Sequence, residues 1–460
     1  MLSLSELKQG CFHYVGIAGT GMSALAQFQA MAGGAVTGSD RLLSSGGQPE
    51  NARALCALGI RLFPQNGSGI TQELAGVVVS SAIEPNNPDL ERARALGIPV
   101  IHRSDMLSAW VNQYRTIAVA GTSGKSTVTA MIFEILEGMA LSPSVITGGN
   151  LIRLSEKGLI GNAFVGKSDL LVVESDESDG TLTRYHPHIG LLLNIQKDHK
   201  DIAELKEIFA VFLSQCTLTA VNIECPSAAP FAGNGLTFGM AGKSGLRLQE
   251  VTLAPRQSTF TLDNVRFTLP LPGRFNVENA AAALAACRLL NLSPDKAVAP
   301  LSAFRGVERR FQNIGTVNGV TVIDDFAHNP TKISEAIRAA HLSSKRVLAF
   351  FQPHGFGPTR FLKQELIDAL ATSLTAEDIL FMPDIYYAGG TVTRDISSQD
   401  ITEAIEKRGR RTVFREDRKT LIPLMVQAAR TGDMILLMGA RDPSLPLFCR
   451  DVFDALQAAI

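Results

Sequence analysis

The stretch Gly121-Thr122-Ser123-Gly124-Lys125-Ser126-Thr127 gathers two glycines, a lysine and several hydroxyls into one short segment, a combination suited to holding phosphate. Main-chain N–H groups in a glycine turn and at a helix start attract an anion, Lys125 adds charge, and the Ser126 hydroxyl can ligate magnesium. The spacing is not that of an ordinary Walker A loop, which wants a glycine where Val119 stands. Either the GKS is a chance strand–helix turn, or the loop belongs to a class with a different spacing.

A second glycine turn, Gly16-Ile17-Ala18-Gly19-Thr20-Gly21-Met22-Ser23-Ala24, satisfies G-x-G-x-x-[GA] from Gly19, with Asp40 about twenty residues further on. Such a turn lets a pyrophosphate approach closely. NAD with Asp40 on a ribose hydroxyl fits it, and so does a UDP-sugar. The acidic run Glu174-Ser175-Asp176-Glu177-Ser178-Asp179-Gly180 follows the apolar Leu170–Val173. It reads as a solvated turn or, at a strand end downstream of a phosphate loop, as oxygen ligands for magnesium, which needs only one or two carboxylates besides phosphate and water. Asn194, Asp198 and His199 end the next apolar stretch, and His199 is read equally well as structural or as a ligand. Further on, Arg309-Arg310-Phe311, Asp324-Asp325-Phe326-Ala327-His328-Asn329-Pro330, Gln352-Pro353-His354 and Arg441-Asp442-Pro443 would form one polar rim, with Asn329-Pro330 making a turn.

Apolar runs alternating with helical periodicity must position these residues. FHYVGIAG, AVTGSD, RLFPQ, GVVVSSAI and PVIHR are strands of a first segment; TIAVA, DLLVV and HIGLLLNI belong to a second; TVIDD, VLAFF, DILFMPD and DMILLMG belong to a third. The alternation predicts α/β domains with mainly parallel sheets, whose ligands gather beyond the carboxyl ends of the strands. A β-rich patch runs from Leu236 to Gly273 before the alanine-rich FNVENAAAALAACRLL helix. We expect three domains, 1–110, 111–313 and 314–460: a Rossmann-like domain, a central P-loop ATPase domain and a second Rossmann-like domain.

Composition narrows the class. A chain of 460 residues, 45% hydrophobic and 19% charged with net charge −1, is an ordinary globular enzyme with no basic excess for nucleic acid. Six scattered cysteines without a C-x-x-C pair argue against a disulfide framework or structural zinc, and most are expected to be buried. The start has no signal-peptide pattern and no stretch suits a bilayer, so a cytoplasmic location with no membrane partner is expected.

In order along the chain, GIAGTGMSALA, VVVSSAI followed by NP, GTSGKST, ESDESDG, LNI with DH, GRFNVENAAAA, RRFQ, DDFAHNP and FQPH resemble the Mur ligases, ATP-dependent amide ligases of peptidoglycan synthesis. The resemblance covers nearly the whole chain and lies nearest the alanine-adding members. Their compressed G-T-x-G-K-[ST] loop matches Gly121–Ser126, so Val119 is no defect. By this likeness Gly121, Thr122, Ser123, Gly124, Lys125, Ser126, Thr127, Asn276, Asn279, Arg310 and Asp325 would serve ATP. Ser126, Glu174 and His199 would serve magnesium. Lys125, Glu174, His199, Arg310 and His354 would be the catalytic set. Gly19, Thr20, Gly21, Met22, Ser23, Asp40, Ser80 and Ser81 would receive UDP-N-acetylmuramate, and His328, His354 and Arg360 the acceptor. The implied acceptor is L-alanine, with a recycled tripeptide as the alternative, and the implied assembly a monomer or homodimer. The chain departs from the family at Ser123, Phe275 and Asn329, and most at FQPHGFGPTR, where Gly355 and Gly357 replace expected bulk and charge. An NAD-dependent oxidoreductase or a non-catalytic nucleotide-binding module is the different-class alternative, and it leaves GTSGKST, ESDESDG and DDFAHNP unexplained.

Overall fold

The computed structural model describes residues 3–177, 181–197, 201–240, 242–387 and 393–459. The chain divides into two compact units: Met1–Gln249 with Thr261–Phe267 and Glu278–Val307, and Glu250–Phe260 with Thr268–Val277 and Glu308–Ile460.

The first unit holds two sheets. One is wholly parallel, in the order Arg61–Pro64, Ala35–Asp40, Cys11–Val15, Gly76–Val79, Val100–His102. Successive strands are added on one side of Cys11–Val15 and then on the other, so the turn at Gly16 lies at the switch point where doubly wound sheets bind ligands. The second sheet runs Leu246–Arg247, Leu236–Gly239, Leu218–Asn222, Ile189–Leu192, Arg115–Ala120, Leu170–Ser175, Ser144–Ile146, Ala163–Phe164, with only the last edge strand antiparallel. Thr116–Ala120 is fully buried, as a central parallel strand covered on both faces should be. The helix Lys125–Gly138 behind it is buried from Ser126 to Leu136, which explains why MIFEIL is apolar almost all round. Phe28, Trp110 and Tyr114 meet edge to face in the adjoining core, with ring centroids 5.1 and 5.8 Å from Phe28.

The β-rich patch forms the strands Gln249–Leu253, Ser258–Leu262 and Val265–Leu269. The second unit contains a six-stranded sheet: Gln312–Val317, Val320–Asp325, Met434–Gly439, Val347–Gln352, Ile379–Pro383, Arg411–Arg415. It is parallel except for its first strand. Three mainly parallel sheets thus match the expected α/β class.

Two expectations need correction. Asn329-Pro330 is a helix start rather than a turn: the Asn329 side chain accepts from Lys332 N at 3.0 Å, and Pro330 takes the first position of the helix Pro330–Ser343. There a missing N–H costs nothing and a fixed φ helps. Of the cysteines, only Cys287 and Cys449 are buried; Cys11, Cys216 and Cys225 are half-buried and Cys56 is exposed, all of them unpaired thiols. Among the described residues, no helix is long and apolar enough to cross a membrane.

Candidate active site

The turn after Cys11–Val15 is shaped by its neighbour strand. Gly16 has φ +72°, and the Gly16 and Ile17 N–H groups both donate to Ser39 O, at 2.8 and 3.0 Å. Asp40, at the end of that neighbour, accepts from Ala18 N at 3.2 Å and from Leu42 N at 3.1 Å. Its two oxygens therefore brace the turn. The helix Thr20–Met31 begins behind Gly19 with no side-chain cap. Uncapped first-turn N–H groups and the positive end of the helix dipole are an anion site in waiting. Gly19 and Thr20 are exposed and Gly21 is half-buried, whereas Met22 and Ser23 point into the protein. Any service Met22 and Ser23 give a ligand comes through their main chain. Ser80 and Ser81 follow the strand Gly76–Val79 across the switch point, beside Gly16, whose absent Cβ would sit 3.3 Å from Ile83 Cδ1. The sequence reading missed Arg103: its guanidinium stands 2.7 Å from where a Cβ of Gly21 would be. It is the first residue after His102 in PVIHR, and nothing local ties it to the glycine turn.

The loop after Arg115–Ala120 is held from the adjacent strand. Asn194 Oδ1 accepts from Thr122 Oγ1 at 2.9 Å and from Ser123 N at 2.8 Å, while its Nδ2 donates to Ser123 O at 3.0 Å. Both glycines are required. Gly121 has φ +139°, with Asn194 N 3.1 Å from the position of a Cβ; Gly124 has φ +86°, with Asn279 Oδ1 at 2.5 Å from that position. Asn279 thus stands against the loop. Asn276 is buried and its Nδ2 donates to Pro272 O at 2.7 Å, so that side chain is engaged by its own turn.

Lys125 opens the helix, and its Nζ donates to Gly121 O at 2.8 Å and to Glu177 Oε2 at 2.6 Å. Burial opposes the ammonium charge, but Glu177, Asp176 and Glu174 outweigh it and raise the lysine pKa, so Lys125 is charged. Burial raises the Glu177 pKa against the pull of Lys125. Glu174 lies opposite Val119 in the sheet register. It accepts from Ser126 Oγ at 3.0 Å, Thr147 Oγ1 at 2.7 Å and Gly148 N at 2.7 Å. A hydroxyl and a carboxylate side by side at the end of a phosphate loop are the hard oxygen donors magnesium takes, with phosphate and water completing its shell. Among the described residues no group of three or more His, Cys, Asp or Glu could hold a metal alone. Asp198 and His199 lie outside the described residues.

In the second unit, Arg309 and Phe311 have φ +58° and +50°, so the backbone on both sides of Arg310 is in the left-handed region. What holds it is a dense set of bonds. Arg309 O accepts from Phe326 N at 2.7 Å, and Arg309 Nη2 donates to Gly439 O at 2.7 Å. Asp325 accepts from Phe311 N and Ala327 N, each at 2.7 Å. Burial pushes the Asp325 carboxyl up to about 6, with Arg310 opposing. The guanidiniums of Arg309 and Arg310 both lie on the Phe326 ring, 5.0 and 4.8 Å from its centroid. The structure therefore brings Arg310 and Asp325 together. His328 stands edge to face with His354 at 5.7 Å. Arg360 is drawn elsewhere: it pairs with Asp395, and its Nη2 donates to Thr393 O at 3.0 Å. Gly355, at φ +71°, receives its place from backbone bonding, its N–H donating to Tyr386 O at 2.8 Å. A side chain at 355 would be strained there, whereas Gly357 faces open space.

Three sequence families match successive parts of the chain: the Mur ligase family catalytic domain over 12–115, the Mur ligase middle domain over 119–287, and the Mur ligase glutamate ligase domain over 309–441. The UDP-N-acetylmuramate–L-alanine ligase of Pelotomaculum thermopropionicum is 35% identical, with 95% of each chain covered. The enzyme of that name from Thermobifida fusca is 34% identical over 95% of this chain and 94% of its own. Among solved structures, UDP-N-acetylmuramate-alanine ligase MurC from Thermotoga maritima superposes with TM-score 0.79 at 25% identity, covering 98% of this chain and all of that one. A murein peptide ligase from Psychrobacter arcticus shares the fold, with TM-score 0.68 at 22% identity over 97% and 98% of the two chains.

Proposed function

The chain belongs to the Mur ligase family and is an ATP-dependent amide ligase of peptidoglycan precursor synthesis, and on that premise we propose that it joins UDP-N-acetylmuramate to L-alanine. The observation that carries the chemistry is the meeting of Lys125 and Ser126 of the glycine loop with Glu174 of the adjacent strand. Full-length likeness to alanine ligases supports the acceptor.

The reaction proceeds through an acyl phosphate. A muramoyl carboxylate oxygen attacks the ATP γ-phosphorus and ADP leaves. The acceptor amine then attacks the acyl carbon, phosphate leaves, and the amine gives up a proton. Such chemistry asks for positioning and charge neutralisation rather than a protein nucleophile. Lys125 carries the charge for the ATP phosphates, and the loop N–H groups orient them. Magnesium bound by Ser126 and Glu174 would neutralise further phosphate charge, and His199 is proposed to join them. Asn279, Asn276, Arg310 and Asp325 complete the nucleotide set. Gly19–Ser23, Ser80 and Ser81 receive the sugar nucleotide, with Asp40 bracing the turn and Arg103 adding charge at its diphosphate. His328 and His354 are assigned to the acceptor side. Arg360 reaches an acceptor only by leaving Asp395. The domains are taken as 1–110, 111–313 and 314–460, and the protein as a cytoplasmic monomer or homodimer.

A second reading, addition of a recycled tripeptide, is favoured by one feature: Gly355 and Gly357 remove bulk beside His354, and Gly357 opens onto free space. Phosphate release with UDP-N-acetylmuramate and ATP across a panel of acceptors decides. Strong stimulation by L-alanine supports the first reading; stimulation by L-alanyl-γ-D-glutamyl-diaminopimelate without response to L-alanine replaces it.

A further inference from the structure

Asn162 sits between the two glycine turns of the first unit, just before the edge strand Ala163–Phe164, and is fully buried. Its Nδ2 donates to Thr20 O at 2.9 Å and to Ser23 Oγ at 3.0 Å, both on the first turn of the helix behind Gly19. Its Oδ1 accepts from Gln27 Nε2 at 2.7 Å, one helical turn further on. Its main-chain carbonyl accepts from Thr147 N at 3.0 Å. Thr147 Oγ1 in turn donates to Glu174 Oε2 at 2.7 Å, and Glu174 Oε1 accepts from Ser126 Oγ at 3.0 Å. A continuous series of hydrogen bonds therefore runs from the sugar-nucleotide turn to the carboxylate and hydroxyl at the phosphate loop. A buried asparagine of this kind adds stability wherever it is satisfied. Here its four bonds also join the first turn of one anion-binding helix to the segment that orients Glu174.

We propose that Asn162 is a positioning residue: it fixes the sugar-nucleotide turn in register with the ATP-phosphate loop. This rests on the assignment of the two turns above. The muramoyl carboxylate is carried by the nucleotide on one turn and the γ-phosphate by the other, so the protein sets the distance between the reacting atoms. Misplacement by about 1 Å costs on the order of 100-fold in rate. Each turn keeps its own N–H groups and charges without Asn162, so each ligand still binds. The loss falls on the step that needs both.

The test compares Asn162→Ala with wild type. Calorimetry gives Kd for UDP-N-acetylmuramate and for magnesium-ATP separately, and kcat is measured at saturation of all substrates. A fall in kcat of about 10- to 100-fold with both Kd values within about threefold of wild type supports the role. Unchanged kcat overturns it, and so does a loss confined to the Kd of one ligand with wild-type kcat at saturation. Should Asn162→Ala melt below the assay temperature, Gln27→Leu, which removes the donor to Asn162 Oδ1 and with it a bond to Ser23 O, is judged by the same criteria with a smaller fall in kcat. Wild-type protein that binds neither ligand, or releases no phosphate, would refute the functional assignment itself, and that is read before any variant.

Discussion

Both glycine turns of the first unit follow a buried strand and open a helix, yet they are finished differently. Neither helix start has a side-chain cap, but the turn at Gly16–Thr20 takes its cation, Arg103, from a segment far along the chain. The loop at Gly121–Ser126 carries its own lysine, already engaged by Glu177 and Gly121 O, and is bracketed by Asn194. The difference follows from what each ligand must do. A diphosphate that only anchors a substrate needs orientation, which N–H groups supply. A γ-phosphoryl group that is transferred needs charge placed in advance, because reorganisation during the reaction raises the barrier.

If that contrast is right, the largest effect comes from the lysine. Lys125→Ala should lower kcat on the order of 1000-fold or more, since charge is lost at the transferred group. Phosphate-release kinetics check it, and activity near wild type would mean the loop is not the ATP site. Asn194→Ala should come next. Removing a side chain that accepts from Thr122 and Ser123 and donates to Ser123 frees the loop, and the KM for ATP should rise roughly tenfold, with the KM for UDP-N-acetylmuramate unchanged. Arg103→Ala should do the reverse at the other turn. A charge-assisted bond of about 1.5 kcal/mol corresponds to a roughly tenfold rise in KM for the sugar nucleotide alone. A rise in the ATP KM instead would erase the contrast.

The same contrast explains what could be read in advance. The phosphate loop was legible because its glycines, Lys125 and Ser126 fall within the one short segment Gly121–Ser126, and a strand and helix flank it. Asn194 was visible as a polar residue at a strand end. Asn162 and Arg103 were not, because each acts on a helix start far away in sequence, and a buried asparagine has no local signature. Glu177 was read with the acidic run as a metal group, but the structure engages it with Lys125, a pairing set by strand register rather than spacing. Gly355 was read as lost bulk; its positive φ shows a backbone need that residue type alone does not reveal. Asn329 was read as a turn because Asn-Pro serves equally as a turn and a helix start.

The helices behind the two turns extend the comparison to their cores, where the effect falls on stability rather than on turnover. Thr20–Met31 buries neutral Gln27 and Gln29, whereas Lys125–Gly138 buries Glu134, 2% exposed. Burial raises the Glu134 pKa to about 7, against the opposing hydrogen bond from Arg305 N at 3.3 Å. The sign follows from linkage. Below the unfolded value near 4.5 both states hold the proton and the group contributes nothing. Between there and about 7 the unfolded chain ionises while the folded protein keeps its proton, so stability falls as pH rises and levels off above the folded value. The full loss is on the order of 3 kcal/mol. Glu134→Gln removes this slope, so the variant should gain melting temperature relative to wild type between pH 5 and pH 8. Gln27→Glu, which places an ionisable group in the helix that lacks one, should introduce a slope of the same sign. A Glu134→Gln difference that stays constant across that range would show that the carboxyl is already ionised in the folded protein, and the two helix cores would then differ in shape but not in protonation.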